Sequence, residues 1–180
     1  MSAEPFALFQ DWWEAAGRDE RVALATATRE GRPSARMLLL KEADEAGFTF
    51  FTGYESRKGR ELAENPRAAL LFHWPGRQVR VEGRVERLPE GESDDYWATR
   101  PPGSRRSAAG SHQSEPIGSR EELEAQVAAV GDDPRRPGRW GGYRLVPDVF
   151  EFWEHREDRL HDRRRFSRAG GGWRRELLQP

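Results

Sequence analysis

The sequence predicts a mainly β fold with peripheral helices, closed into a small antiparallel barrel of seven or eight strands. Two observations carry this. Short apolar or alternating runs recur along the chain, separated by turn residues such as Arg29–Pro33, Pro75-Gly76 and Ala169–Gly172. Helical periodicity is confined to brief stretches between those runs, so helices lie outside the sheet rather than alternating with strands.

Phe6, Phe9, Trp13 and Ala16 recur at helical spacing, with Pro5 suited to the first turn and Gly17 to the end, which predicts a helix over about 5–17. Arg21 to Thr28 alternates, with Val22 and Leu24 on one face. Ser34 to Lys41 reads as a buried strand, and Gly47 to Thr52 as a third strand completing an antiparallel meander. Ser56 can cap a helix that ends at Asn65 before Pro66. Arg67 to Trp74 and Gln78 to Leu88 read as a hairpin, and Pro89 opens a polar helix through Tyr96 and Trp97. Arg100 to Gly118, rich in Pro, Gly, Ser and Arg, reads as a loop. Ser119 with Glu122 fits a capping box for a helix to Val130. Trp140–Val146 and Val149–Glu154 read as two strands around Pro147-Asp148, and a last hairpin joins Arg164–Ser167 to Trp173–Leu178.

At 180 residues the chain is expected to be one domain, residues 1–180. A net charge of −1, with 34% charged residues of both signs, argues against a nucleic-acid binder, which needs a basic excess. Hydrophobic content of 36% makes a thin core, which seven Trp and nine Phe thicken, and a buried dimer interface would complete it. The absence of cysteine excludes disulfides, Cys-zinc sites, iron–sulfur clusters and a thiol nucleophile. No run reaches membrane-spanning length and the start shows no signal-peptide pattern, so a cytoplasmic protein without a membrane partner is expected.

Arg36-Met37-Leu38-Leu39-Leu40-Lys41 sets four apolar residues between two cations. A buried strand should not carry an unpartnered charge at either end, because desolvating a lone cation is costly, and a bound anion would remove that cost. Of 30 Lys and Arg residues only Lys41 and Lys58 are lysine, and Lys58 follows a strand-like run beside Arg57. Lysine is a compact point charge suited to phosphate and arginine adds a planar fork. Cations in the first turn of a helix after Ser56 oppose its dipole unless an anion sits there. Solvated surface cations are the alternative reading of the same residues. Further on, Arg159, His161 and Arg163 alternate, so an extended backbone would put two permanent cations and an imidazole on one face. His155 and His161 lack carboxylate–histidine spacing, and no metal is expected.

These pieces occur in a telling order: Arg36 to Lys41, Phe51-Thr52, Ser56-Arg57-Lys58, Asn65-Pro66, Arg77-Gln78-Val79, Tyr96 with Arg100-Pro101, Gln113-Ser114, Phe152-Trp153, Arg159-Leu160-His161-Asp162-Arg163 and a terminal Leu178-Gln179-Pro180. From about Phe9 to Pro180 the chain resembles the pyridoxamine 5'-phosphate oxidases. The resemblance implies a split β-barrel homodimer holding FMN at the subunit interface. It implies FMN contacts from Arg36, Met37, Leu38, Leu39, Leu40, Lys41, Phe51, Thr52, Arg57 and Lys58, the last two on the phosphate, and from Gln78, Gln113, Ser114, Trp153 and Arg163, some in the partner chain. Lys41, Tyr96, Arg100 and Ser104 would hold the phosphate of a vitamin B6 substrate, with Arg159, Leu160 and His161 against its reacting end. Arg159 and His161 would be the catalytic residues. The implied reaction passes hydride from the substrate C4' carbon to flavin N5, and dioxygen becomes hydrogen peroxide. Two alternatives stand beside it: a flavin oxidase resembling the phenazine-biosynthesis branch, acting on a different ring, and a non-catalytic FMN or pyridoxal phosphate binding protein.

Departures from the family pattern gather on the substrate side. Little chain precedes the first helix, the turn Trp74–Arg77 is short, Arg105–Gly110 lacks an aromatic and Glu121–Arg139 is short.

Overall fold

The computed structural model describes residues 4–180. Strand β1 (Arg21–Ala27) pairs with β2 (Pro33–Leu39) across a turn in which Gly31 takes φ +83°. Strands β3 (Glu42–Asp44) and β4 (Gly47–Gly53) form a second hairpin, and β5 (Arg67–Trp74) and β6 (Arg77–Arg87) a third. The long β7 (Trp140–Glu154) and the hairpin β8 (Asp162–Ala169) with β9 (Gly172–Leu177) complete one nine-stranded antiparallel sheet. Its main path runs β2-β1-β5-β6-β7-β4-β3, with β8 and β9 branching from β7.

The expected meander is not what forms. β4 pairs with β7 and β3, while β2 stands at the opposite end of the path. The two ends meet through Leu40 and Lys41, whose amides donate to Glu20 O at 2.7 Å and to Thr49 O at 2.8 Å. These two residues hand the chain from the first hairpin to the second and curl the sheet, which fixes the backbone of Lys41 at that junction.

Nor is β2 a buried strand. It is a sheet edge, with Met37 64% and Leu39 50% exposed on a single chain, while Leu38 between them packs against the core. Trp140 to Glu154 is likewise one strand rather than two. Glu82 pairs with Val149 and Gly83 with Pro147, so Asp148 bulges out and the imino nitrogen of Pro147 is tolerated. A Cβ at Gly83 would lie 2.0 Å from Val146 O, which explains glycine at the bulge.

Helix α1 (Glu4–Ala15) forms where its spacing predicts and buries Phe6, Phe9, Trp12 and Trp13 in the core. Phe9 is fully buried, with its ring centroid 4.9 Å from both Phe48 and Phe72, and Trp12 meets Phe152 edge-on at 5.3 Å. Such packing of aromatics lets a chain with little apolar content build a continuous core. Helix α2 (Arg57–Glu64) is capped by the Ser56 hydroxyl, which accepts from Gly59 N. Helix α3 (Glu90–Thr99) follows Pro89, and α5 (Arg120–Ala128) is capped by Ser119 accepting from Glu122 N, while the Glu122 carboxylate reaches Gly118 N rather than completing the box. Between them Pro102–Gly110, expected as loop, forms helix α4: Pro102 suits its first turn and Arg105 to Ala109 carries no breaker. No helix among the described residues is long and apolar enough to cross a membrane.

Candidate functional site

A cleft of about 1340 Å³ opens between the β2 edge, the end of β4, the start of α2 and the α3–α4 segment. Arg36, Met37, Leu38, Leu39 and Lys41 line it from β2 and the junction beyond, and Phe51 and Thr52 from β4. Arg57 and Lys58 enter from α2, Tyr96 and Arg100 from α3 and its cap, Ser104 from α4, and Gln113 and Ser114 from the segment after α4. Leu40 does not line the cleft, and its side chain is fully buried in the core.

Local chemistry fixes the cations. Lys58 is 7% exposed, and its ammonium donates to Thr52 Oγ1 at 2.9 Å and Ser56 Oγ at 3.1 Å, both neutral. Burial first, and the Arg36 charge second, lower its pKa to about 8, with Glu61 opposing them. Arg36 donates to Thr26 Oγ1 at 2.6 Å and to Leu24 O at 3.1 Å, and pairs with Glu61 at 3.3 Å. Arg57 pairs with Glu61 at 3.0 Å, and Lys41 with Glu20 at 2.5 Å. The expectation that Arg36 and Lys41 need a bound anion therefore does not hold. Protein carboxylates already neutralise both, and Lys58 is the cation left with only hydroxyl partners.

On the opposite wall Phe51 stacks on Tyr96 with centroids 3.8 Å apart, and Trp140 lies parallel to both, 5.7 Å from Phe51 and 6.3 Å from Tyr96. The Arg100 guanidinium sits 4.4 Å above the Trp140 ring, and its buried Nη1 has no hydrogen-bond partner. Desolvation lowers the Arg100 pKa. Gln113 Oε1 accepts from Thr52 Oγ1 at 2.9 Å and Gly53 N at 3.2 Å, which leaves its amide N–H groups for other acceptors. Ser114 has φ +76°, a conformation rare for a side-chain-bearing residue and frequent at functional sites.

Gln78, Trp153, Arg159, Leu160, His161 and Arg163 lie elsewhere on the chain and none lines this cleft. Gln78, Trp153 and Arg163 stand side by side across β6, β7 and β8. Arg163 is bound to Glu151 at 2.6 Å, and the His161 ring is 4.6 Å from Trp153. The expected alternation of Arg159, His161 and Arg163 on one strand face does not occur. β8 begins only at Asp162, and Arg159 occupies a turn at φ +66° with Leu160 66% exposed beside it. His161 Nδ1 accepts the Arg156 N–H at 3.1 Å, which assigns the proton of the neutral ring to Nε2.

Sequence reasoning missed Trp140 and Glu61. Trp140 read only as the start of a strand, and no local pattern reveals that its ring backs Phe51 and Tyr96. Glu61 carried a signal in its i,i+4 spacing from Arg57.

Residues 10–132 match the pyridoxamine 5'-phosphate oxidase family, and residues 140–180 match the pyridoxine 5'-phosphate oxidase C-terminal dimerisation region. This chain belongs to the pyridoxamine 5'-phosphate oxidase family. It is 51% identical over 189 residues to a pyridoxine/pyridoxamine 5'-phosphate oxidase of Janthinobacterium sp. (strain Marseille), spanning 98% of this chain and 90% of the relative. It is 52% identical to one of Rubrobacter xylanophilus, spanning 98% and 87%. Among solved structures it resembles PhzG from Burkholderia lata 383, crystallised with tetrahydrophenazine-1-carboxylic acid, at a TM-score of 0.93 and 39% identity over 99% of this chain and 94% of that one. It shares its fold with a pyridoxamine 5'-phosphate oxidase-related, FMN binding protein from Nostoc punctiforme PCC 73102, with TM-score 0.83 and 19% identity over the full length of both. The fold is thus the split β-barrel of this family, and residues 140–180 carry the family's C-terminal dimerisation region. Members of this family are oxidases by name.

Proposed function

We propose that this protein oxidises pyridoxamine 5'-phosphate and pyridoxine 5'-phosphate to pyridoxal 5'-phosphate with FMN as cofactor. The amine, dioxygen and water give the aldehyde, ammonia and hydrogen peroxide; the alcohol and dioxygen give the aldehyde and hydrogen peroxide. One observation carries the reading: a single cleft is lined both by Lys58, a buried cation with hydroxyl partners only, and by Arg100, a guanidinium with an unpartnered buried nitrogen. Two phosphate esters in one cleft would satisfy both.

The residues present fit the cofactor. Arg57 and Lys58 would hold its phosphate at the N-terminus of α2, where the helix dipole also favours an anion. Gln113 has free amide donors for a ring carbonyl, and Gln78, Trp153 and Arg163 would be brought in by the partner subunit. Bound FMN would supply the two-electron chemistry that these side chains lack.

The protein's share is position and charge. Arg100, Tyr96, Ser104 and Lys41 would bind the substrate phosphate, with Arg100 held flat on Trp140. Arg159 would orient the C4' substituent, and His161 would present its Nε2 toward the same end. Both lie outside the cleft of their own chain, so this reading requires the dimer to place one subunit's turn over the other's cleft.

The likeness to PhzG favours one second reading, oxidation of an unphosphorylated ring. Tyr96 and Arg100 in the cleft, the latter with its unpartnered buried nitrogen, speak for the phosphorylated substrate. Adding pyridoxine 5'-phosphate to the purified protein in air tests this. Peroxide release equal to pyridoxal 5'-phosphate formed is the expected result, and flavin-loaded protein that releases none contradicts it.

A further inference from the structure

Glu61 touches no part of the cleft, yet both of its oxygens are committed to groups that do. It lies on α2, 4% exposed. One oxygen accepts from Thr26 Oγ1 at 2.5 Å and Ser34 Oγ at 2.6 Å and faces Arg36 Nη2 at 3.3 Å. The other accepts from Arg57 Nε at 3.0 Å. A single carboxylate therefore ties β1, β2 and α2 together at the corner where Arg36, Arg57 and Lys58 enter the cleft.

We propose that Glu61 is a positioning residue for the phosphate end of the cofactor: it holds Arg36 and Arg57 in place and matches the site to a phosphomonoester dianion. Its charge is secure. Burial alone would raise its pKa, but hydrogen bonds from Ser34, Thr26 and Arg57 and the Arg36 charge bring it down to about 2. Three cations and one carboxylate leave a surplus of about two positive charges, the charge a phosphate monoester carries at neutral pH. Without Glu61 the two arginines lose their shared anchor and repel each other and Lys58. An arginine that must be ordered on binding costs more affinity than one already held.

The proposal rests on the reading that FMN is the cofactor, and its test separates the two. Coulomb's law alone says that removing a negative charge beside a phosphate site tightens binding. Positioning says the reverse. The Kd values of FMN and of riboflavin, which lacks the phosphate, are measured for the full chain and for Glu61→Gln. The variant is expected to weaken FMN at least about tenfold, with riboflavin affinity unchanged. FMN bound equally or more tightly by the variant overturns the proposal, as does a parallel loss of both ligands, which would mark general damage. If the Gln variant does not fold, Glu61→Asp keeps the charge but withdraws it by one methylene, and the same fall in FMN preference is expected. Wild-type protein with no preference for FMN over riboflavin removes the underlying reading and this proposal with it.

Discussion

The Lys58 ammonium donates to the Thr52 hydroxyl at 2.9 Å, and that hydroxyl donates in turn to Gln113 Oε1 at 2.9 Å. A buried cation thus sets the direction of a hydroxyl, which sets the direction of an amide lining the same cleft. Because burial and then Arg36 lower the Lys58 pKa to about 8, the ammonium is charged at neutral pH and loses its proton within reach of mild alkali.

The pH dependence follows with a definite sign. In the protein without ligand the folded pKa lies below the unfolded one, near 10.4, so this group's contribution to stability rises as pH climbs from about 8 toward 10.4. FMN affinity runs the other way, since the phosphate needs the charged ammonium. We expect FMN Kd to rise above about pH 8 in the wild type, and Lys58→Met to bind FMN at least about tenfold more weakly with that alkaline limb gone. An alkaline limb unchanged in the variant would assign it to another group.

Gly59 follows Lys58 and packs against the chain before α2. A Cβ there would stand 2.0 Å from Tyr54 O, a backbone atom that cannot step aside. Gly59→Ala should push α2 off the β4 end and cost about 1–3 kcal/mol in urea unfolding. It should weaken FMN retention as well, because Lys58 moves with the helix. Stability and retention both at wild-type levels would show that the close approach is dispensable.

Trp140 lies under Arg100 at 4.4 Å and parallel to Phe51 and Tyr96. Trp140→Leu removes a cation–π contact of about 1–2 kcal/mol and the backing of the aromatic wall. The expected effect is a rise of about tenfold in KM for the phosphorylated vitamers, with FMN Kd changed less. Steady-state kinetics on flavin-saturated protein check this; a fall in kcat with KM unchanged would place Trp140 elsewhere in the mechanism.

Arg159 sits in a turn at φ +66°. Arg159→Gly relieves that conformation, so folding stability should hold or rise by up to about 1 kcal/mol while turnover falls about tenfold to hundredfold. Absorbance of the purified variant should show flavin still bound. Equal loss of flavin and turnover would move Arg159 into the cofactor site.

Much of the architecture was legible in local pattern. Phe6, Phe9 and Trp13 marked α1, Ser56 and Pro66 bracketed α2, and Pro75-Gly76 marked the turn between β5 and β6. What escaped was set at a distance. Pro147 looked like a strand break because the bulge that accommodates it depends on Gly83 in another strand. Met37 and Leu39 looked buried because a single chain's sequence does not mark which strand ends as an edge. At the site, residue types were readable and their partners were not: Glu61 and Glu20, far along the chain from Arg36 and Lys41, take the anion's place beside them. Arg159 and His161 were legible only through a motif, since the turn that holds them breaks the alternation on which the face argument stood.

The central claim is that one cleft serves two phosphate esters, a flavin nucleotide and its substrate. Mixing the flavin-loaded protein anaerobically with pyridoxamine 5'-phosphate, and separately with unphosphorylated pyridoxamine, tests it most directly by following flavin absorbance. Rapid bleaching is expected with the phosphate ester, and bleaching slower by at least about a hundredfold without it. Equal rates with both, or no bleaching by the ester, would contradict it.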